Sequence, residues 1–289
     1  MNNCPCCKNQ DLISVIFTVD KYGNPITIYH CQTCCAFVPH YPDKPSNIVR
    51  HQADFHAVYW ANVPKQQVIN ESLRMRFTID FYEKYLSLYE PLTPILDLGG
   101  GRGLLTKALL DREYNAYGCD PSSDLVDCAR GILNIPYSHY SHSDIASFID
   151  DRRDEFDGKV GAIFLWHVIE HLEFPIDTLR ALKPLLRPDG IIVAQGPMLD
   201  RDYIFPEHYF LHSESNISWM ARELGMKILF LDALSPERFI SFVFGSVDHC
   251  QTAINAIYQP ETEAALGALF HTFSRALALM RDRSIIDSN

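Results

Sequence analysis

Six of the nine cysteines in this chain stand within its first 35 residues: Cys4, Cys6, Cys7, Cys31, Cys34 and Cys35. Cys4 and Cys7 make one Cys-x-x-Cys knuckle and Cys31 and Cys34 a second, with 23 residues between them. The N-terminus has neither the charged nor the apolar region of a secretory leader, so paired knuckles read as a tetrahedral zinc site rather than as disulfides. Cys6 and Cys35 read as bystanders, with a register swap against Cys7 or Cys34 left open. Four protein ligands leave no position for water, which makes such a zinc structural. A segment this short buries too little to fold alone, and a structural zinc contributes on the order of 10 kcal/mol.

A second group is Ile95-Leu96-Asp97-Leu98-Gly99-Gly100-Gly101-Arg102-Gly103. The dinucleotide fingerprint Gly-x-Gly-x-x-Gly/Ala fails here in both registers, because its third position falls on Leu104 or Thr106. What stands instead is Asp-x-Gly-x-Gly-x-Gly, with glycines at 99, 101 and 103 and an acid ahead of them. A carboxylate at that place disfavours a phosphate and suits a ligand with a cationic amino group. S-adenosylmethionine, which carries an ammonium and a sulfonium, meets that requirement.

These groups need elements to position them. The apolar run ending at Asp97 reads as a buried strand, and Leu104, Leu105, Ala108 and Leu109 have helical spacing after the loop. Strand, glycine loop and helix open a doubly wound sheet whose ligand site lies at the carboxyl ends of the strands. Further strands are expected at 116–119, 137–140, 160–165, 191–194, 226–232 and 238–244, the last two as a hairpin-like pair. Asp120 ends the first of these strands about twenty residues after the loop, where an acid reaches ribose hydroxyls. A bare helix-capping role is its alternative. In the first 47 residues, 13–19 and 26–30 read as two strands of a zinc ribbon, followed by a proline-rich linker over 39–47. From 54 to 89 the pattern turns helical, with Phe77, Phe81, Tyr85 and Leu88 on one stripe. That stretch reads as a layer on the main domain, or as a lid with Tyr59 or Trp60 over the ligand.

His167-x-x-Glu170-His171 spells the inverted zinc-protease motif. That chemistry needs the motif within a long helix, whereas here it follows a strand directly and Pro175 restarts a helix four residues on. The phrase His-Val-x-Glu-His-Leu at 167–172, the Pro188-Asp189-Gly190 turn and the glycine loop together resemble the class I S-adenosylmethionine-dependent methyltransferases. The resemblance extends to about residue 245. It implies a seven-stranded Rossmann-like α/β sheet and cofactor contacts from Asp97, Gly99, Gly101, Gly103, Asp120 and His167. It also implies that Asp144 accepts from the adenine amino group, with Ile145 against the ring. Methyltransferases with an N-terminal zinc domain that C-methylate deoxysugars are similar in a further loop, where an aromatic-x-Glu-His serves the substrate. Glu207 and His208 match that pair, and Phe205 stands where a tyrosine would supply a hydroxyl. The resemblance therefore points to His208 as the proton acceptor, Glu207 as its orienting partner and His171 as the reserve. Those relatives carry a further C-terminal domain, for which the residues after 245 are too few.

The expected organisation is a zinc ribbon over 1–47, a helical linker or lid over 48–90, the cofactor-binding domain over 91–246 and C-terminal helices over 247–289. A stripe from Leu266 to Met280 in the last segment packs on its own domain or forms a homodimer contact. Among 289 residues, 47% are hydrophobic, enough for a sizeable core, and no apolar run reaches the ~18 residues of a membrane span. A net charge of −11 speaks against a nucleic-acid partner. The expected partner is a small-molecule methyl acceptor, a sugar or natural-product intermediate, in a cytoplasmic setting. The alternatives are an RNA methyltransferase of the ribosomal type and a scaffold that binds cofactor without catalysis.

Overall fold

The computed structural model describes residues 3–42, 63–235 and 238–246. Two sheets organise them. The smaller has the antiparallel order β1-β2-β3, from Leu12–Val19, Pro25–Cys31 and Phe37–His40. The third strand is a correction to the sequence reading, which began a linker at 39. Val38 and Pro39 alternate against Tyr29 and Ile28, and Val38 is buried.

The larger sheet has seven strands: β4 (Ile95–Leu98), β5 (Ala116–Asp120), β6 (Tyr140–His142), β7 (Val160–Trp166), β8 (Leu186–Pro197), β9 (Lys227–Asp232) and β10 (Phe239–Gly245). Their order is β6-β5-β4-β7-β8-β10-β9. The first five run parallel, and β10 is antiparallel to both of its neighbours. The order reverses at β4, so β4 and β7 diverge to opposite halves and open a crevice at their carboxyl ends. The expected doubly wound α/β fold is therefore observed.

Alternation along the strands divides the core between two faces. Leu96, Leu98, Ile163, Leu165, Ile192 and Ala194 pack with helices α4 (Ile145–Phe156), α5 (Pro175–Leu182) and α6 (Glu214–Leu224). Ile95, Ala162, Phe164, Ile191 and Val193 pack with α1 (Lys65–Leu86) and α2 (Leu104–Leu110), while α3 (Ser123–Gly131) closes over Tyr140. The inner face of α1 is Val68, Ile79, Phe81, Tyr82 and Leu86, with Tyr85 packed against it; of the stripe expected from sequence Phe81 and Tyr85 face the core, while Phe77 is exposed. The other aromatic residues considered for a lid, Tyr59 and Trp60, lie outside the described residues. So do the C-terminal helices and the dimer contact assigned to them.

Two sequence expectations shifted locally. The third parallel strand begins at Tyr140 rather than 137, because residues 137–139 form a turn closed by His139 N–H on Pro136 O. The Pro188-Asp189-Gly190 turn is absorbed into β8 as a bulge: Val160 pairs with Leu186, and Ala162 already pairs with Ile191. No helix among the described residues is long and apolar enough to cross a membrane.

Candidate active site

The glycine loop is locked by three side chains. Asp97 is buried and takes both the backbone N–H and the hydroxyl of Thr106 on one oxygen, at 3.0 and 2.7 Å. Asp120 accepts the Gly101 N–H at 2.9 Å and the Ser122 N–H at 2.9 Å. Tyr140 donates its hydroxyl to Gly101 O at 2.8 Å. Gly103 sits at φ +71°, and a Cβ there would lie 2.7 Å from Ile135 Cδ1. Gly103→Ala should thus cost about 1–3 kcal/mol in urea unfolding, from left-handed strain and forced contact. An unchanged unfolding midpoint would show that the turn relaxes freely.

The same contacts bear on the ligand. In a phosphate cradle the loop N–H groups face the anion. Here the Gly101 N–H is spent on Asp120, and two carboxylates crowd the loop. Burial pushes Asp97 up to about 6, the Thr106 hydrogen bonds restrain that rise, and the charge on Asp120 adds to it. Gly101, at φ +57°, has nothing among the described residues within 4 Å of where its Cβ would be. A cationic ligand fits this cradle and a pyrophosphate does not.

Asp120 closes β5 beside the loop, as the sequence led us to expect. Asp144 caps α4, accepting from Ser147 N and Oγ at 2.9 and 3.0 Å, and the Ser147 backbone bond lowers its carboxyl below the usual range. Ile145 follows it and is buried. His167 leaves β7 at φ +56°, with Nε2 3.0 Å from Gln195 Oε1 and Nδ1 3.4 Å from Glu170 Oε1.

Past β7 the chain makes a single helical turn, Ile169–His171. It drives Glu170 into the interior with no exposed surface, and among the described residues neither carboxylate oxygen has a well-formed hydrogen bond, His167 Nδ1 standing off at 3.4 Å. Histidines surround it. His208 Nε2 is 4.0 Å from Glu170 Oε1, and the His171 and His208 rings lie edge to face with centroids 4.6 Å apart. A Cβ on Gly196 would stand 2.7 Å from His212 Nε2 and 3.3 Å from Glu170 Oε2, which puts His212 on the opposite side. Burial would raise the Glu170 pKa, but His167 beside it and the fields of His171 and His208 bring it down to about 2.

The orienting group expected for His208 is different from the one found. Its Nδ1 is held by Tyr203 O at 2.7 Å, and the carboxylate facing its Nε2 belongs to Glu170. Glu207 enters through its backbone, whose carbonyl is 3.0 Å from His171 Nδ1. Glu170 and His212 were the residues sequence reasoning missed. The one available signal was the rejected His-x-x-Glu-His motif, which did carry chemistry-bearing residues into one place.

Burial holds His212 below the usual histidine range and brings His208 to about 3. The unfolded chain takes up these protons near pH 6.5 while the folded one does not, so stability falls as pH drops below 6.5. Urea midpoints between pH 7.5 and 5 should fall less steeply in His212→Gln than in the parent. Equal slopes would mean that the imidazole is not held neutral.

The Glu207–His208 loop is fastened to the cysteine sheet. Phe37 and Leu211 exchange backbone hydrogen bonds at 3.0 and 2.7 Å, and Lys21 N–H reaches Ile204 O at 3.0 Å. Ser213 Oγ donates to Cys35 O at 2.8 Å, and Asn216 Nδ2 to Cys34 O at 3.0 Å. One sulfur from each of Cys4, Cys7, Cys31 and Cys34 lies within 4.8 Å of the others. The Cys4–Cys34 and Cys7–Cys31 separations are 3.6 and 3.5 Å. Sulfurs bound tetrahedrally at ~2.3 Å from one zinc stand ~3.8 Å apart, close to these two separations, so the four residues could hold that ion.

The methyltransferase-domain family matches residues 69–231, which include the glycine loop, Asp120 and the Glu170 cluster. A ubiquinone biosynthesis O-methyltransferase of Actinobacillus pleuropneumoniae is 28% identical over 103 residues, covering 34% of this chain and 43% of that protein. A tRNA 5-carboxymethoxyuridine methyltransferase of Escherichia coli is 28% identical over 106 residues, covering 34% and 38%. The chain thus spans less than half the length of these curated relatives. Among solved structures, a S-adenosylmethionine-dependent methyltransferase from Archaeoglobus fulgidus matches 61% of this chain and 94% of its own, at 16% identity and a TM-score of 0.49. The Burkholderia thailandensis 1,6-didemethyltoxoflavin-N1-methyltransferase matches 75% and 98%, at 13% identity and a TM-score of 0.47. Since the family match covers more than half of its residues, the chain belongs to the methyltransferase-domain family.

Proposed function

We propose that the protein is a S-adenosylmethionine-dependent methyltransferase acting on a small-molecule acceptor, with a structural zinc in its N-terminal ribbon. One observation carries the cofactor reading: a carboxylate-lined glycine loop whose Gly101 N–H is already taken by Asp120. Asp97, Gly99, Gly101 and Gly103 would surround the methionine end, and Asp120 the ribose. Asp144, Ile145 and His167 would complete the pocket. Bound there, S-adenosylmethionine supplies an electrophilic methyl on a cationic sulfur. Alignment of an acceptor against that methyl is worth up to ~7–11 kcal/mol. His171 and His208, with the Glu170 carboxylate and the Glu207 backbone carbonyl beside them, would face the acceptor. Their task is to take the acceptor's proton or to offset the charge that its loss leaves. The free cysteines and the thiolate site suit a reducing, cytoplasmic setting.

The expectation that nucleic acid is an unlikely partner loses its force beside a tRNA-modifying relative. RNA is therefore the second reading. Binding that weakens steeply between 50 and 200 mM salt would favour RNA, and a flat response would favour a small metabolite. S-adenosylhomocysteine at about 100 times its Kd should stabilise the protein by ~2.7 kcal/mol, seen as a rise in Tm, and NAD should give none. A rise with NAD alone would overturn the cofactor assignment.

A further inference from the structure

Three electron-pair donors, from Glu170, His171 and His208, converge past the end of β7. The Nδ1 atoms of His171 and His208 contact backbone carbonyls of Glu207 and Tyr203. A carbonyl can only accept, so each Nδ1 carries the hydrogen and each Nε2 is left with a lone pair. Glu170 is fully buried, and neither of its oxygens has a well-formed hydrogen bond among the described residues, the nearest ring nitrogen being His167 Nδ1 at 3.4 Å from Oε1. One ligand atom from each of these three residues lies within 4.8 Å of the others. None can donate to another in these protonation states. Buried acceptors are ordinarily satisfied, so the arrangement calls for a cation.

We propose that Glu170, His171 and His208 bind a divalent transition-metal ion whose open positions face the methyl acceptor. Two imidazoles and one carboxylate form a mixed nitrogen and oxygen set, suited to zinc, manganese, iron or cobalt. The backbone carbonyls behind both rings are the outer partners that ligating histidines require. The 4.0 Å between His208 Nε2 and Glu170 Oε1 exceeds the ~3.4 Å expected of two ligands on one ion by an amount a small side-chain rotation closes. His171 is exposed and provides the way in, whereas Glu170 and His208 are buried. Three protein ligands leave room for more, unlike the closed cysteine site.

The ligand this site takes is an acceptor that presents an oxygen. Bound to the metal, a hydroxyl loses its proton to solvent water more readily, and the metal carries the resulting charge. Proteolysis does not follow from the motif. His167, which would be the second histidine ligand of that chemistry, has its Nε2 engaged by Gln195.

The inference rests on the methyltransferase reading only for its choice of ligand. Its test is cobalt(II) titration of the whole protein, first dialysed against a weak chelator that leaves a four-thiolate zinc in place. One further equivalent should bind, with weak visible bands and no thiolate charge-transfer absorption. His171→Ala should weaken it by more than about tenfold, the range reported for losing even a supporting partner. Because His171 is exposed, that variant keeps its fold; Glu170→Gln is the second, riskier variant. Equal cobalt affinity in the parent and His171→Ala, or uptake seen only through thiolate bands, would overturn the site. S-adenosylhomocysteine binding is measured on the same samples. Binding of that compound without cobalt uptake sinks the metal alone. Cobalt uptake lost in His171→Ala supports the metal even if the compound fails to bind, which would instead sink the cofactor reading.

Discussion

Asp120→Ala is expected to abolish measurable binding of S-adenosylmethionine and S-adenosylhomocysteine while leaving the protein folded. A carboxylate can accept about four hydrogen bonds, and Asp120 accepts one each from Gly101 N–H and Ser122 N–H, at 2.9 Å in both cases. Those two bonds hold the carboxylate at the end of β5 beside the glycine loop, where the ribose of a bound nucleoside is expected. Each hydrogen bond to a charged acceptor is worth ~1.5–3 kcal/mol, so losing two weakens binding by roughly 10²- to 10⁴-fold. The substitution also releases the Gly101 N–H and loosens the loop. Asp120→Asn separates these effects, since it can still accept from Gly101 but carries no charge. Calorimetry is the measurement. Unchanged affinity in Asp120→Ala would remove the ribose assignment.

Cys31→Ser should act at a distance. The buried Cys31 belongs to the four-sulfur cluster, and structural zinc supplies on the order of 10 kcal/mol to a segment that cannot fold alone. Losing the metal should unfold the small sheet. The acceptor loop would then lose the Phe37–Leu211 pair, the Lys21 bond to Ile204 and the anchors at Ser213 and Asn216. None of those contacts reaches the glycine loop, so S-adenosylhomocysteine affinity should change by no more than a few-fold. Hydrogen exchange gives a readout that needs no known acceptor. Protection at Leu211, whose N–H is held by Phe37 O, should collapse while that at Thr106 persists. Fresh wild-type protein without zinc would refute the ribbon's metal, and a loop still protected in the variant would refute the coupling.

Together these expectations divide the molecule into a cofactor half that stands on the parallel strands and an acceptor half that depends on the ribbon. Phe210, Ile217, Trp219 and Met220 share one core with Cys4, Cys31 and Cys34, so the division is functional and not a break in packing.

The sequence by itself determined whatever depends on neighbours along the chain. The glycine loop, the acid ending the next strand and the paired knuckles are short-range patterns. Their geometry follows from backbone φ, strand alternation and ligand spacing. The structure bears this out in the seven-stranded sheet and in Asp120 closing β5. The tertiary structure alone decided which long-range groups meet. Cys34 and Asn216 are 182 residues apart, and Cys35 and Ser213 are 178 apart, so no periodicity could reveal that the ribbon holds the acceptor loop. The partner of His208 was misjudged for the same reason. Glu207 is its neighbour in the chain, but a tight turn closed on Phe205 O points the ring at Tyr203 O and Glu170 instead. Burial then gives Glu170 its importance, because a carboxylate taken out of solvent is costly unless it is paired, and the imidazoles of His167 and His208 stand beside it.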